Sequence, residues 1–456
     1  MCECQSKFDY LHAKLHDAIM RDDQESITNL LTVHPVNEPI NIWKNCTLAP
    51  IYQNQVNPNG ALKVLYIVEE LLTTYACLYF LQQPLGLSIL PIHLAATYRK
   101  VGSLECLIRH KADLEAKDAR GRSSLHHALM HWPNIARGCT VPKTKIEKAM
   151  AAMQSRASTC LHLMCQQGVD VNATTGAEGR DTPLHLAVRY GVWSAVAVLA
   201  RHGAELEAAD QYGMTPLHMA SCLLDSRVTE ELLGQGARLD ARVLASGCTP
   251  LQLAVAATSG KVGRWLGVGM ECVRALLAAG AAVNASDCRG RSATHEACFG
   301  GQEELVDLLL EHGADLCLRT ELGESPLALF LERRPNLRHR RMLAKLLALS
   351  CPLRIAGAGG SLPSGIRGPE FRRHREFLQA LCRQPPTLYD LCRAAVRRVY
   401  SRRQTQQLLP HSVWSFLYSY QEYAERLQEV GAEGLDKRHE LGAPAGLDNS
   451  LSGLHL

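Results

Sequence analysis

Six residues, Thr182-Pro183-Leu184-His185-Leu186-Ala187, return as Thr215-Pro216-Leu217-His218-Met219-Ala220 and again as Thr249-Pro250-Leu251-Gln252-Leu253-Ala254. Weaker copies stand at Leu90–Ala95, Ser124–Ala128, Ala293–Ala297 and Ser325–Ala328. From His93 to His126, His185 to His218 and His295 to Ala328 the interval is 33 residues, and from His218 to Gln252 it is 34. A chain built from one unit at a fixed period does not fold around a single core. Each unit buries its apolar face against its neighbours. Two intervals are longer: 59 residues from His126 to His185, and 43 from Gln252 to His295. They read as one repeat plus insertions of 26 and 10 residues.

A second mark keeps the same phase: His202-Gly203-Ala204, Gln235-Gly236-Ala237, Ala279-Gly280-Ala281 and His312-Gly313-Ala314 each precede an alternating Leu/Val segment. A Thr before Pro-Leu-His caps a helix and the Pro fits its first turn, while the Gly ends a second helix where a positive φ is needed. The His bonds neighbouring backbone. A 33-residue period carrying Thr-Pro-Leu-His-x-Ala resembles the ankyrin family. The resemblance covers about residues 85–355 and implies an all-α solenoid of about seven to eight repeats, some with insertions.

Hydrophobic residues at 46% and charged residues at 21% are ordinary for a soluble globular chain. Ala61–Leu90, the most apolar stretch, is broken by Glu69, Glu70 and Pro84 and reads as a buried helix, not a membrane span. The 17 cysteines are scattered and no signal peptide precedes them, so reduced buried thiols and a cytoplasmic location are expected, with the nucleus also open. Acylation of Cys2 and Cys4 has no support nearby. Cys160, His162 and Cys165 lack the paired spacing of a zinc site, and His127 and His131 lack the Glu of a metalloprotease helix. No phosphate loop, nucleophile elbow or framed acid pair is found, so neither catalysis, metal nor cofactor is expected.

At the N-terminus, Leu15–Ile19 and Ile27–Leu31 read as a degenerate helix pair, within a cap and insertion over 1–84. Asn45–Asn59 reads as a loop. Beyond 355 the pattern fades. Residues 356–384 read as a Gly-rich linker and a helix, 385–420 as a helical box, and 421–456 as a disordered polar tail. Arg333 to Arg403 holds 17 Lys or Arg against three acids, a balance of +14, and reads as a solvated basic face.

Within the box, Leu388, Leu391, Cys392, Ala395, Val396 and Val399 fall on one stripe behind a capping Thr387. Thr387, Leu388, Cys392 and Val396 occupy the four positions of the elongin-binding motif, so the segment resembles the first helix of a SOCS box. The whole chain thereby resembles the ankyrin repeat and SOCS box family. That resemblance implies a substrate-recognition adaptor without chemistry of its own. Elongins B and C would dock on Thr387, Leu388, Leu391, Cys392 and Val396, bringing a cullin (cullin five) and a RING subunit. The family's cullin box is matched at Leu409 and Pro410 but not at His411 and Ser412. The target would meet tips such as Asp210, Gln211, Tyr212, Arg289 and Glu321. Asn172 and Asn284 resemble ankyrin asparagines that are hydroxylated. The rival reading is an ankyrin scaffold or inhibitor outside any ligase, its basic C-terminal helices binding an acidic partner. Neither membrane nor nucleic acid is expected among the partners.

Overall fold

The structure, a computed structural model, describes residues 2–42, 87–133, 144–176, 179–260, 269–357, 360–400 and 402–432. The loop read at Asn45–Asn59, most of Ala61–Leu90, the side chains of Cys2 and Cys4 and the tail beyond 432 lie outside them. The chain forms two compact units, one of residues 1–258 and 267–282, the other of residues 259–266 and 283–456.

The first unit opens with α1 (Cys2–Arg21) and α2 (Gln24–Leu31), which pack on each other through Leu15, Ile19 and Ile27. Asp22, at the turn between them, accepts hydrogen bonds from the backbone N–H of Ser103 (2.5 Å) and Gly102 (3.2 Å). The N-terminal pair thus supplies donors' partners to a helix whose own cap residue, Lys100, has none to give. One feature departs from an all-helical chain: β1 (Ile40–Ile42) pairs antiparallel with β2 (Leu87–Ile89), Ile40 opposite Ile89. Both segments alternate Ile or Leu with a short polar residue, the period of a half-buried strand.

The repeats follow as helix pairs: α3 (Pro91–Thr97) with α4 (Val101–Arg109), α5 (Ser124–Met130) with α6 (Lys145–Gln166), α7 (Pro183–Arg189) with α8 (Trp193–Arg201), and α9 (Pro216–Leu223) with α10 (Ser226–Gly234). Next come α11 (Pro250–Ser259) and α12 (Met270–Ala278). The 26-residue insertion is in part an N-terminal extension of α6, which runs 22 residues from a capping box of Thr144 and Glu147. Cys160 and Cys165 are buried in this helix, and burial pushes their thiols up to about 12 and 11.

The histidines do more than hold a turn. In α7 and α9 the Thr hydroxyl accepts from the His N–H, while the imidazole Nδ1 accepts from the Thr N–H. The Nε2 of His185 then reaches Met214 O (3.1 Å), and that of His218 reaches Ala241 O (3.0 Å), both in the following repeat. With Nδ1 accepting from a backbone N–H, Nε2 carries the proton, and each ring is a neutral bridge between neighbouring units. The outer helices end at glycines such as Gly236, φ +93°, where a side chain would be strained.

The second unit contains α13 (Ala293–Gly300) with α14 (Glu303–Glu311), and α15 (Pro326–Glu332) with α16 (Arg340–Leu349). Its core is Leu305, Leu309, Leu327, Phe330 and Leu346. Asn336, fully enclosed, donates to the carbonyls of Cys298 (3.3 Å), Phe299 (3.1 Å) and Phe330 (3.0 Å) and so staples α13 to α15.

Two boundaries differ from those read in the sequence. The division between compact units falls at 282/283 and not at 355/356, because the C-terminal helices pack on α14, α15 and α16. The stretch expected as a linker is not a free tether. Ser364 donates to the Glu332 carboxylate from its N–H (2.9 Å), Ile366 is fully buried, and Gly365 lies directly on the Leu331 carbonyl, where no side chain fits. After α17 (Arg372–Arg383), the box comprises α18 (Leu388–Val399), α19 (Arg402–Leu408) and α20 (His411–Tyr418). Residues 421–432, expected to be disordered, form α21 (Gln421–Ala432). Tyr420, Tyr423, Ala424 and Leu427 give it an apolar stripe that packs on α16 and α17.

Candidate functional site: an exposed helix stripe and the repeat tips

Thr387 caps α18 by accepting from Asp390 N–H (3.1 Å), and Asp390 returns a bond to Thr387 N–H (3.1 Å). This reciprocal box fixes where the helix starts and which way its faces point. Leu388 is 77% exposed, and Leu391, Cys392, Ala395 and Val399 are exposed with it, while Val396 is half-buried. The apolar stripe therefore faces solvent. The opposite face is the one that packs: Ala394 is buried, and Arg393 and Arg397 turn inward. Thr387 itself is fully engaged in the cap, so its part in any docking is to place Leu388.

The interior of the box is a stack of cations on rings. Arg393 lies 4.9 Å from the Phe416 ring, and Arg402 lies 5.4 Å from both Trp414 and Tyr418. Lys345 of α16, almost enclosed, pairs with Glu303 (2.5 Å) and Asp307 (2.8 Å) and sits 5.4 Å from the Tyr420 ring. Lys345, Arg393, Arg397 and Arg402 are thus spent inside, while Arg334, Arg338, Arg340, Arg341, Arg354, Arg367, Arg372, Arg373 and Arg383 are exposed, as read from the sequence. Leu409 is half-buried, Pro410 is the exposed N-cap residue of α20, and His411 and Ser412 are exposed. Nothing in the fold brings Leu409 and Pro410 onto the α18 stripe; they mark the turn into α20.

At the repeat tips the structure corrects one expectation. Asp210, placed among the target-contacting residues, is 4% exposed and accepts from the N–H groups of Tyr212 (2.8 Å) and Met214 (2.9 Å). Asp118 and Asp287 hold their own turns in the same way, each through two N–H groups. Both N–H groups use Oδ1 of Asp210, and it is the burial of the carboxylate in its turn that keeps it from a target. Gln211, Tyr212, Arg289 and Glu321 are exposed. Leu244, 93% exposed, stands at the tip of its own repeat and lies against Gly213 beside Tyr212, and Leu322 is exposed next to Glu321. Sequence reading passed over Leu244 because its repeat departs from the pattern there; the signal was a large aliphatic residue directly after Ala241-Arg242-Val243, at the position where the preceding repeat carries Gln211.

Asn172 and Asn284 are both tied down: Nδ2 donates to Gly203 O (3.1 Å) and Gly313 O (2.9 Å), and Oδ1 accepts from Glu205 N–H and Asp315 N–H (2.8 Å each). They are repeat-to-repeat fasteners. Among the described residues no three His, Cys, Asp or Glu gather as metal ligands, and no helix is long and apolar enough to cross a membrane.

Comparison with known proteins points to the same repeats. The family model described as ankyrin repeats (3 copies) matches residues 149–243 and 228–320. ZDHHC13 of Danio rerio, a protein with a palmitoyltransferase name, is 30% identical over 213 residues, covering 46% of this chain and 28% of its own. The E3 ubiquitin-protein ligase KEG of Arabidopsis thaliana is 25% identical over 270 residues, covering 49% of this chain and 17% of its own. The chain thus spans less than a third of the length of either relative. The ankyrin repeat domain of human ASB11 is similar at 24% identity, with a TM-score of 0.40, over 52% of this chain and 90% of that one. The capped helix pairs at a 33-residue period and the family model agree that the stretch over residues 149–320 is built of ankyrin repeats.

Proposed function

We propose that the chain is a substrate receptor of an elongin–cullin–RING ubiquitin ligase. In this reading the repeats hold a target through exposed tip residues such as Gln211, Tyr212, Arg289 and Glu321, with Leu244 added. The α18 stripe docks elongins B and C, and through them a cullin, cullin five, and a RING subunit. The receptor performs no ubiquitin chemistry; it raises the concentration of target lysines near the transferring enzyme. The observation that carries the reading is the solvent-facing stripe of Leu388, Leu391 and Cys392 on a firmly capped helix. A helix that packs only on its own repeat has no reason to turn its leucines to water, whereas a helix that waits for an apolar groove has.

The test is capture of purified elongin B–C complex by the full chain, with and without the paired change Leu388→Asp and Cys392→Phe. A carboxylate in an apolar groove costs several kcal/mol, so capture is expected to vanish. Both side chains are exposed, so the melting temperature is expected to stay where it was. Recovery at background by the unaltered chain would sink the ligase reading and leave the scaffold with a basic face.

A further inference from the structure

Turning an amphipathic helix so that its leucines meet water and its arginines meet protein needs a cause, because apolar burial alone favours the reverse. The contacts of Arg397 supply one. Its Nη1 donates to Leu417 O (3.0 Å) and its Nη2 to Leu349 O (3.4 Å). Leu417 lies in the last turn of α20 and Leu349 is the last residue of α16, the outer helix of the final repeat. Carbonyls in those turns have no intrahelical donor, and the negative ends of both helix dipoles gather there. One planar guanidinium therefore joins two helix C-termini. Arg393, one turn earlier, reinforces the first of them through Ser419 O (3.0 Å) and Leu417 O (3.4 Å). Neither arginine has a carboxylate partner among the described residues; the helix ends serve instead.

Close packing does not hold this seam. Two clefts of about 580 and 230 Å³, open to solvent, are both lined by Arg397, the first also by Cys351, Leu381, Asp390 and Tyr423, the second by Leu316, Cys317, Leu349 and Tyr418. Side chains that border an open cleft have packing partners on one side only, so directional bonds carry more of the orientation of α18. Burial and the neighbouring Arg393 also disfavour the charge on Arg397, which makes the carbonyls its required partners.

We propose that Arg397 is the positioning residue of the box: by bridging the C-termini of α16 and α20 it sets the rotation of α18 and so presents Leu388, Leu391 and Cys392 outward from the last repeat. The proposal rests on the reading of that stripe as the docking face, but it is measurable apart from it. A lysine in its place carries the charge yet has a single ammonium, which does not span two carbonyls held by a planar fork.

The experiment compares the full chain with Arg397→Gln, Arg397→Lys and Leu388→Asp, reading amide hydrogen exchange and elongin B–C affinity on the same proteins. Arg397→Gln is expected to speed exchange about tenfold in the last turn of α16 and in α20 together, with α9 and α10 unchanged. It is expected to weaken elongin capture about tenfold, and Arg397→Lys to restore neither. Leu388→Asp is expected to abolish capture with exchange untouched. Unchanged exchange in Arg397→Gln overturns the proposal whatever the elongins do. So does rescue by lysine, which would reduce the role to charge, and so does faster exchange with full elongin affinity, which would mean the rotation is set elsewhere. Failure of the unaltered chain to bind elongins would sink the docking reading alone, leaving exchange to judge the bridge.

Discussion

Leu217 and Leu388 begin in the same way. Each lies in the first turn of an amphipathic helix capped by a threonine, Thr215 or Thr387, and each heads a stripe at helical spacing. They end in opposite places: Leu217 is 1% exposed between neighbouring repeats, and Leu388 is 77% exposed. The difference lies in what each helix has on its other face. Behind α9 stands the next repeat, reached by His218, so the apolar face has a partner supplied by the chain. Behind α18 stand helix C-termini and aromatic rings, which suit Arg393 and Arg397 and leave the leucines outside. A stripe in a sequence identifies an interface; the residues off the stripe decide whether the partner belongs to the same chain.

The largest expected effect sharpens the repeat side of that contrast. Truncating Leu217 to Ala removes three carbons from a site with no route for water and with neighbours that cannot all collapse inward, so about 2–5 kcal/mol of stability is expected to go. Because each repeat is buried only by its neighbours, the loss should show as earlier melting of more than one repeat. Chemical denaturation followed by circular dichroism measures it. A midpoint within error of the parent's would show that Leu217 does not sit in the core described.

The next effect is electrostatic and also belongs to the repeats. Burial, the leading cause in each case, pushes His93, His131 and His295 down to about 4, and lowers His185 and His218 as well. A histidine whose folded pKa lies below the ordinary 6.5 stabilises the fold above that value and loses its contribution as pH falls from 6.5 toward 4. Protonation would also place a hydrogen on Nδ1 of His295, facing the Ser292 N–H that it accepts (3.1 Å). At pH 5 a loss on the order of 1–2 kcal/mol for each of His93, His131 and His295 is expected. A carboxylate held low would lose its contribution in the same direction, but only below the ordinary carboxylate range and so beneath this window. Asp118, for example, is disfavoured as an anion by burial, yet bonds from His127 and Arg122 outweigh this and hold it well below the usual range. A melting temperature that is flat between pH 7 and pH 5 would contradict the buried neutral tautomers. The helix α18 contains no histidine.

How much of this was legible without coordinates follows the same division. The capped repeats were readable because Thr, Pro, His and Gly each answer a local backbone demand, and those demands recur every 33 residues. The box helix was readable as an amphipathic unit for the same reason. What stayed hidden was long-range. Ser364 and Ile366 look like linker until Glu332 and the α15 surface are beside them. Asp210 looks like a free tip until its turn closes around it. Arg393 and Arg397 look solvated until Leu417 O and Leu349 O face them. In each case the partner is a backbone group or residue placed by folding, and residue type alone does not announce it.

The smallest expected effect is the one that most directly breaks or keeps the comparison. If Leu388 is held outward by the fold, shortening it to Ala removes apolar atoms that water already touches in the folded chain. The cap at Thr387 survives, because it uses Thr387 and Asp390 and no part of the leucine side chain. Alanine is at least as good a helix former as leucine. Stability should therefore move by no more than about 0.5 kcal/mol, against the several kcal/mol expected for the same change at Leu217. Denaturation of the two variants side by side, under one buffer and one probe, measures the ratio. A loss of about 2 kcal/mol or more in Leu388→Ala would mean that the side chain is buried in solution, with α18 rotated and its stripe against the last repeat. The arginines would then have to face water, and Arg397 would no longer reach Leu349 O. A null effect on stability, joined to loss of elongin capture in the same protein, is the pattern that a stripe kept for a partner produces.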